Sequence, residues 1–332
     1  MSRLPRGRDG PDVERAQLVL VTALILGVAL IALVLLVNAA IYTENLATRD
    51  PDVGDEEVLA YEATVVDGVG GVVDRENANE YDTYDNVRSN VSASVEVLNG
   101  QLERTRLENG IIASMNLSAA SYSQGRLIIH NDSSRNFTAE DGSTDWTLAG
   151  NVTDTRNYVA TVEQDRLVLT NASNASSDGA FHVVLDGDSG DEWHAYVYEN
   201  RTTNDIALAV KPGGVNAANA EEVCSVSTTN ATIDFTAGTI NGEECPGLNW
   251  GESIADPYTL QYANGDAANG TYEVTVNGTE DGLDIGDLLL EDSTASPRFV
   301  PAVYSVHLEL TYRSPDLEYR ATVRVARGEP DA

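Results

Sequence analysis

Apolar residues follow three successive patterns along this chain, and each pattern predicts a different kind of element. From Leu18 to Val37 the sequence runs without a charge, interrupted only by Thr22 and Gly27. As a helix that run is about 30 Å long, the depth of a bilayer's hydrocarbon core. From Asp55 to about Ser123 the spacing turns helical, with Val87, Val91, Val95, Leu98 and Leu102 in one series and Leu107, Ile111 and Met115 in a second. The phase slips between Leu102 and Leu107, which predicts two helices or one kinked helix, with Gly70-Gly71 as a hinge nearer the N-terminus. After Ser123 the period falls to two and β-branched residues take over, in runs such as "YVATVEQDRLVLT", "AFHVVLDG", "EWHAYVYEN" and "AVYSVHLELTYR" separated by Gly, Asn, Asp and Ser. These read as about nine strands, mostly antiparallel, in a sandwich or rolled sheet.

The expected fold class is therefore α+β: an N-terminal transmembrane helix and a helical stalk, followed by a mainly antiparallel, β-sandwich-like extracellular head. The expected boundaries are a cytoplasmic leader at 1–16, a transmembrane helix at 17–48, a stalk at 49–125 and a β-rich head at 126–332.

Charge gives the long apolar run a direction. Arg3, Arg6, Arg8 and Arg15 stand before it, whereas Glu44, Asp50, Asp52, Asp55, Glu56 and Glu57 follow it with only Arg49 to oppose them. An excess of arginine marks the cytoplasmic side. The N-terminus is thus expected in the cytoplasm, with Tyr42 as an interfacial anchor and the remainder outside the cell in a single-pass arrangement. The whole chain carries 20 Lys plus Arg against 53 Asp plus Glu, a formal net charge of −33. Such a surface repels nucleic acid, which is excluded as a partner. Lys211 is the only lysine. This composition resembles that of proteins from salt-loving archaea, in which a dense carboxylate shell stays hydrated while salt screens its self-repulsion.

Three fates are open to the apolar run: a plain anchor, a secretory signal cut near Val37-Asn38-Ala39, or the polymerising helix of a filament subunit. The second is disfavoured by length, because signal peptides carry an apolar region of roughly 7 to 15 residues. The third comes from the flank. Arg15-Ala16-Gln17-Leu18, a basic and a small residue followed by Gln and an unbroken apolar run, resembles the class III signal peptide of archaeal type IV pilins and archaellins. The pattern also resembles a haloarchaeal group of pilin-like membrane proteins. The resemblance implies cleavage after Ala16 by a membrane-embedded peptidase, a mature chain beginning at Gln17, and other pilin-like subunits as partners of the apolar helix. Bacterial pilins usually carry Glu at the fifth mature position; here that position is Val21.

Cysteines and sequons agree with an exterior location. Cys224 and Cys245 are the only cysteines, and in an extracellular domain they read as a disulfide. Asn-x-Ser/Thr sequons begin at Asn90, Asn116, Asn131, Asn136, Asn151, Asn171, Asn174, Asn200, Asn230, Asn269 and Asn277, none of them before the apolar run. Chance placement of this chain's Asn, Ser and Thr gives about four. The alternative explanation is that these residue types share turns in any β-rich protein.

Candidate chemistry is sparse. Gly187-Asp188-Ser189-Gly190 copies the tetrapeptide around the nucleophile of chymotrypsin-like proteases, but a tight turn accounts for the same residues. Within that turn Asp186, Asp188, Asp191 and Glu192 gather oxygens of the kind calcium takes, without EF-hand spacing. Asp281, Asp284 and Asp287 form a similar group. His182 and His194 fall on either side of the expected hairpin, where they could approach one another. No cofactor is implied. The expected function is non-enzymatic: a pilin-like, minor subunit at the cell membrane acting in assembly or adhesion, with a leader-retaining ligand-binding module as the alternative and an anchored hydrolase third.

Overall fold

The structure, a computed structural model, describes residues 52–188, 190–213, 219–278, 282–285, 295–315 and 317–330. Its contacts divide the chain into two units, 1–59 and 60–332. Of the first unit only 52–59 are described, as the opening turns of a helix. The apolar run at 18–37, with Arg15, Ala16 and Gln17, lies outside the described residues. Among the described residues no helix is long and apolar enough to cross a membrane.

Among the described residues two α-helices, α1 (Asp52–Asn77) and α2 (Tyr84–Leu107), precede sixteen strands. In chain order these are β1 (Ile112–His130), β2 (Trp146–Val152), β3 (Thr155–Glu163), β4 (Leu169–Thr170), β5 (Phe181–Gly187), β6 (Glu192–Asn200), β7 (Ile206–Lys211), β8 (Glu221–Val226), β9 (Asn230–Asp234), β10 (Thr239–Ile240), β11 (Glu243–Glu244), β12 (Tyr258–Ala263), β13 (Gly270–Asn277), β14 (Asp284–Ile285), β15 (Arg298–Arg313) and β16 (Glu318–Val325). The expectation of an α+β chain, a helical stalk carrying a separate head, is overturned. The described chain is mostly β, and α2 packs against β1 and β15. The helical reading fails first at Ile111 and Met115. Their separation of four fits a helix, but Ala113 between them is buried as well, so the burial period there is two and the element is a strand. Positions 125 and 126, where stalk was to give way to head, both lie inside β1.

One sheet runs β11-β10-β9-β3-β13-β1-β15-β16 and the other β14-β2-β12-β5-β6-β7-β8, with β4 parallel to β6 and every other pairing antiparallel. Their facing residues, among them Tyr158, Ile233 and Val274 from the first and Leu185, Trp193, Leu208 and Leu260 from the second, make one continuous core. β1 and β15 continue past this sandwich, pairing with each other down to Ile112 and Arg313, and there the helices cover them.

The helices form for the reasons their pattern gives. Val87, Val91 and Val95 are wholly buried on α2, and Tyr61, Val65, Val69 and Val73 make the matching stripe on α1. Thr83 caps α2, its side-chain oxygen accepting from Asn86 N at 3.3 Å. Gly70-Gly71 is no hinge: α1 continues through it. A Cβ on Gly70 would stand 2.9 Å from the Cβ of Arg327, so glycine lets the segment after β16 lie against the helix. At the end of α1 the Asn77 amide bonds Val303 twice, donating from Nδ2 to its carbonyl at 2.9 Å and accepting from its N–H at 2.9 Å. Val303 adjoins a bulge, where the register with β1 slips by one residue at Tyr304. A few residues on, Arg298 grips Glu80 through Nε (2.9 Å) and Nη2 (2.6 Å).

Candidate functional site

Cys224 and Cys245 are joined, with Cα atoms 5.5 Å apart. Cys224 belongs to β8, the margin of one sheet, and Cys245 follows β11, the margin of the other, so the bond ties the two sheets along one side. Beside Cys245 opens a groove of about 680 Å³, lined in part by Thr236, Asn249 and Trp250. A second hollow of about 280 Å³, lined by Asp154, Asp256 and Tyr258, shares Trp250, Glu329 and Pro330 with the first.

Trp250 forms the common wall. Its ring stands edge-on to Tyr158 (5.3 Å) and Trp193 (5.4 Å). Burial, and then the neighbouring Asp154, hold the Asp256 carboxyl above its usual range. Burial likewise pushes the Tyr258 phenol up to about 12, and its oxygen lies 2.7 Å from Thr155 Oγ1. Asp154 accepts from Asn277 Nδ2 at 2.7 Å, and Glu329 is held by Arg324. The groove thus presents carboxylate acceptors beside an aromatic wall, a combination suited to a ligand rich in hydrogen-bond donors.

Arg156, on β3, is 1% exposed, donating to Asp74 Oδ1 at 2.7 Å, Arg327 O at 3.0 Å and Val303 O at 3.2 Å. Its guanidinium and that of Arg324 lie 5.7 and 5.9 Å from the Tyr304 ring. This cluster ties β3, α1, β15 and the segment after β16 together.

The acidic turn closes the β5–β6 hairpin. Asp186 pairs with Glu192 in register, and Gly187 N bonds Asp191 O at 3.0 Å. Ser189 lies outside the described residues, as do Asp281 and Asp287; Asp284 begins β14. Among the described residues no group of three or more His, Cys, Asp or Glu side chains is placed to hold a metal ion. His182 and His194 do meet, with ring centroids 5.3 Å apart, and both lie against Tyr196, His194 stacked on its ring and His182 tilted to it. Burial lowers both, His182 to about 4.

Sequence reasoning missed Ser296 and His130, whose side chains meet across 166 residues at 2.9 Å. Ser296 Oγ also accepts from Asn131 N and Asp132 N, at 3.1 and 3.3 Å. The Ser296–His130 contact thus bridges the end of β1 and the start of β15.

Among known families, a model described as a family of unknown function (DUF7261) matches residues 12–144. That span is less than half of the chain; it takes in both helices and β1 and ends before the groove. No curated protein matches the chain, and no solved structure does.

Proposed function

We propose that the chain is a non-enzymatic surface protein, held at the cell membrane by the apolar run at 18–37 with its β-rich part outside, and that it works as a pilin-like subunit in assembly or adhesion. The observation that carries this reading is the Cys224–Cys245 bond joining the two sheet margins. Bonds of that kind persist in oxidising, extracytoplasmic surroundings, and the arginine-flanked apolar run supplies the route there. A helix that follows the run in sequence and buries its stripe from Tyr61 onward agrees with it. The net charge of −33 suits a salt-rich exterior, and the sequons suit a glycosylated one.

The test is the mass of the N-terminal peptide from protein purified out of its native membrane. A peptide beginning at Gln17 supports prepilin-type processing; one beginning near Ala40 sinks the reading. One beginning at Met1 or Ser2 leaves a retained anchor and favours the second reading, a tethered ligand-binding module. The groove around Trp250 is the specific observation behind that alternative, and Trp250→Ala would then abolish binding of a donor-rich ligand such as an oligosaccharide.

A further inference from the structure

The eleven sequons are alike in sequence and very different in the fold. Transfer of an oligosaccharide to asparagine requires Nδ2 to reach the donor: the Nδ2–C1 bond forms as the bond from the sugar's C1 to the lipid-linked phosphate breaks. The lipid phosphate leaves, and a proton from the amide passes to a base of the transferase. An amide that is buried, or already donating within the fold, is withheld from that step.

Seven sequon amides are so engaged. Asn269 is 6% exposed and donates to Glu163 Oε2 at 2.9 Å. Asn277 gives its Nδ2 to Asp154, Asn200 to Glu222, Asn136 to Asp266 O, Asn151 to Gly282 O, Asn116 to Glu309 and Asn90 to Asn86 O. The remaining four, Asn131, Asn171, Asn174 and Asn230, are exposed, and among the described residues none of their Nδ2 atoms donates to any partner.

These four converge on one end of the β unit. Asn131 follows the last residue of β1, and Asn230 opens β9 directly opposite Glu163, the last residue of β3. Asn171 and Asn174 bracket the short turn after β4, whose Thr170 lies in register with Asn200 at the end of β6. Gln164 binds this end together, bonding Thr229 O through its backbone and Glu199 through its side chain. The chain comes into the unit at the other end. Tyr61 packs there on Tyr312, 5.9 Å between rings, one residue before β15 finishes. β15 begins at Arg298, in register with Ile129 near the four-sequon end, so its sixteen residues put about 50 Å between the two ends.

We infer that Asn131, Asn230 and at least one of Asn171 and Asn174 carry N-linked oligosaccharides, forming a glycan crown on the end of the β unit farthest from where α1 joins it, and that Asn269 carries none. The inference rests on the exterior placement proposed above and adds which sites the transferase takes. The crown would cover the loops at 131–136, 171–174 and 227–230 and leave the groove around Trp250, toward the opposite side of the sandwich, open.

The experiment is intact-glycopeptide mass spectrometry on the protein purified from the membranes of the cells that naturally make it. Expected are sugar-bearing peptides for Asn131, Asn230 and the Asn171/Asn174 segment and a bare peptide for Asn269. A fourfold variant, N131Q/N171Q/N174Q/N230Q, is expected to lose most of the glycan mass of the intact chain. Bare crown peptides, or Asn269 occupied as fully as the four, overturn the inference. The N-terminal peptide of the same preparation separates the two failures. Bare peptides on a chain that starts at Gln17 or Met1 in the membrane fraction refute the crown alone. A chain found only in the cytosol refutes the surface reading and the crown with it.

Discussion

Asn77 is where α1 is fastened to the sheet, and replacing it with alanine tests how that fastening works. The residue is 3% exposed. Its amide serves Val303 at a point where β15 has no neighbouring strand on that side, because β16 pairs with β15 only from Val306 onward. The two bonds are not equivalent. Val303 O also accepts from Arg156 Nη2 at 3.2 Å, so Asn77→Ala leaves that carbonyl with one partner and costs about 0.5–1.5 kcal/mol there. Val303 N donates to Asn77 Oδ1, and stranding a buried N–H costs about 1–3 kcal/mol. The expected loss is about 2–4 kcal/mol, a fall in Tm of roughly 5–10 °C for a unit of this size. Thermal unfolding followed by circular dichroism at fixed salt measures it. Asn86→Ala on the exposed side of α2 serves as the control and should stay within about 0.5 kcal/mol of the parent. An Asn77→Ala protein that melts with the control would refute the assignment of Asn77 as the pin between helix and bulge.

Three further perturbations follow from the same geometry. Replacing both Cys224 and Cys245 with alanine opens a loop whose ends are 21 residues apart. It should cost about 3 kcal/mol, read as a lower urea midpoint; an unchanged midpoint would show that the sheets need no tie. For His130, burial lowers the imidazole from 6.5 to about 4 beside Asp132, Arg135 and Arg298. The folded state therefore holds it neutral, and the stability this represents is complete above pH 6.5 and drains as pH falls toward 4. At 1.36 kcal/mol per unit that is about 3 kcal/mol, so the parent should lose more stability than His130→Phe between pH 7 and pH 4, and parallel losses would refute it. Two glycines should respond oppositely. A Cβ at Gly270, where φ is +139°, would stand 1.8 Å from Thr161 O, so Gly270→Ala should yield little folded protein. Gly100 in α2 has open space around it, and Gly100→Ala should gain about 0.5–1 kcal/mol.

How much of this was legible depended on whether the deciding contact was local. The stripe of α2, Val87, Val91 and Val95, is local, written in residues four apart, but the two helices part at 78–83 and not between Leu102 and Leu107, because α2 runs unbroken to Leu107. The cysteines were legible because there are only two. Ile111 and Met115 misled because a step of four belongs to both periods, and only the small Ala113 between them distinguishes a strand from a helix. The middle of β1, from Asn116 to Gln124, is exposed or half-buried throughout, so no alternation announced a strand there.

The groove and the crown were illegible for a different reason. Asp154, Trp250, Asp256 and Glu329 come from three separate parts of the sequence and share a hollow only because β2, the segment before β12 and the segment after β16 finish at one place. A sequon reads the same whether its amide faces solvent or a carboxylate 106 residues away, as Asn269 faces Glu163. Arg156 shows the principle most sharply. A charged residue in a strand reads as a solvent-facing position, and in isolation its burial would be prohibitive. It becomes tolerable only when Asp74 from α1, Val303 O from β15 and Arg327 O from beyond β16 converge on one guanidinium. Every one of those partners lies more than eighty residues from Arg156. The residue that looks most like surface in the sequence is therefore the one whose burial requires helix, bulge and C-terminal segment to arrive together. Removing its charge by Arg156→Met should loosen all three contacts at once, whereas Arg75→Met, on an exposed side chain, should loosen none of them.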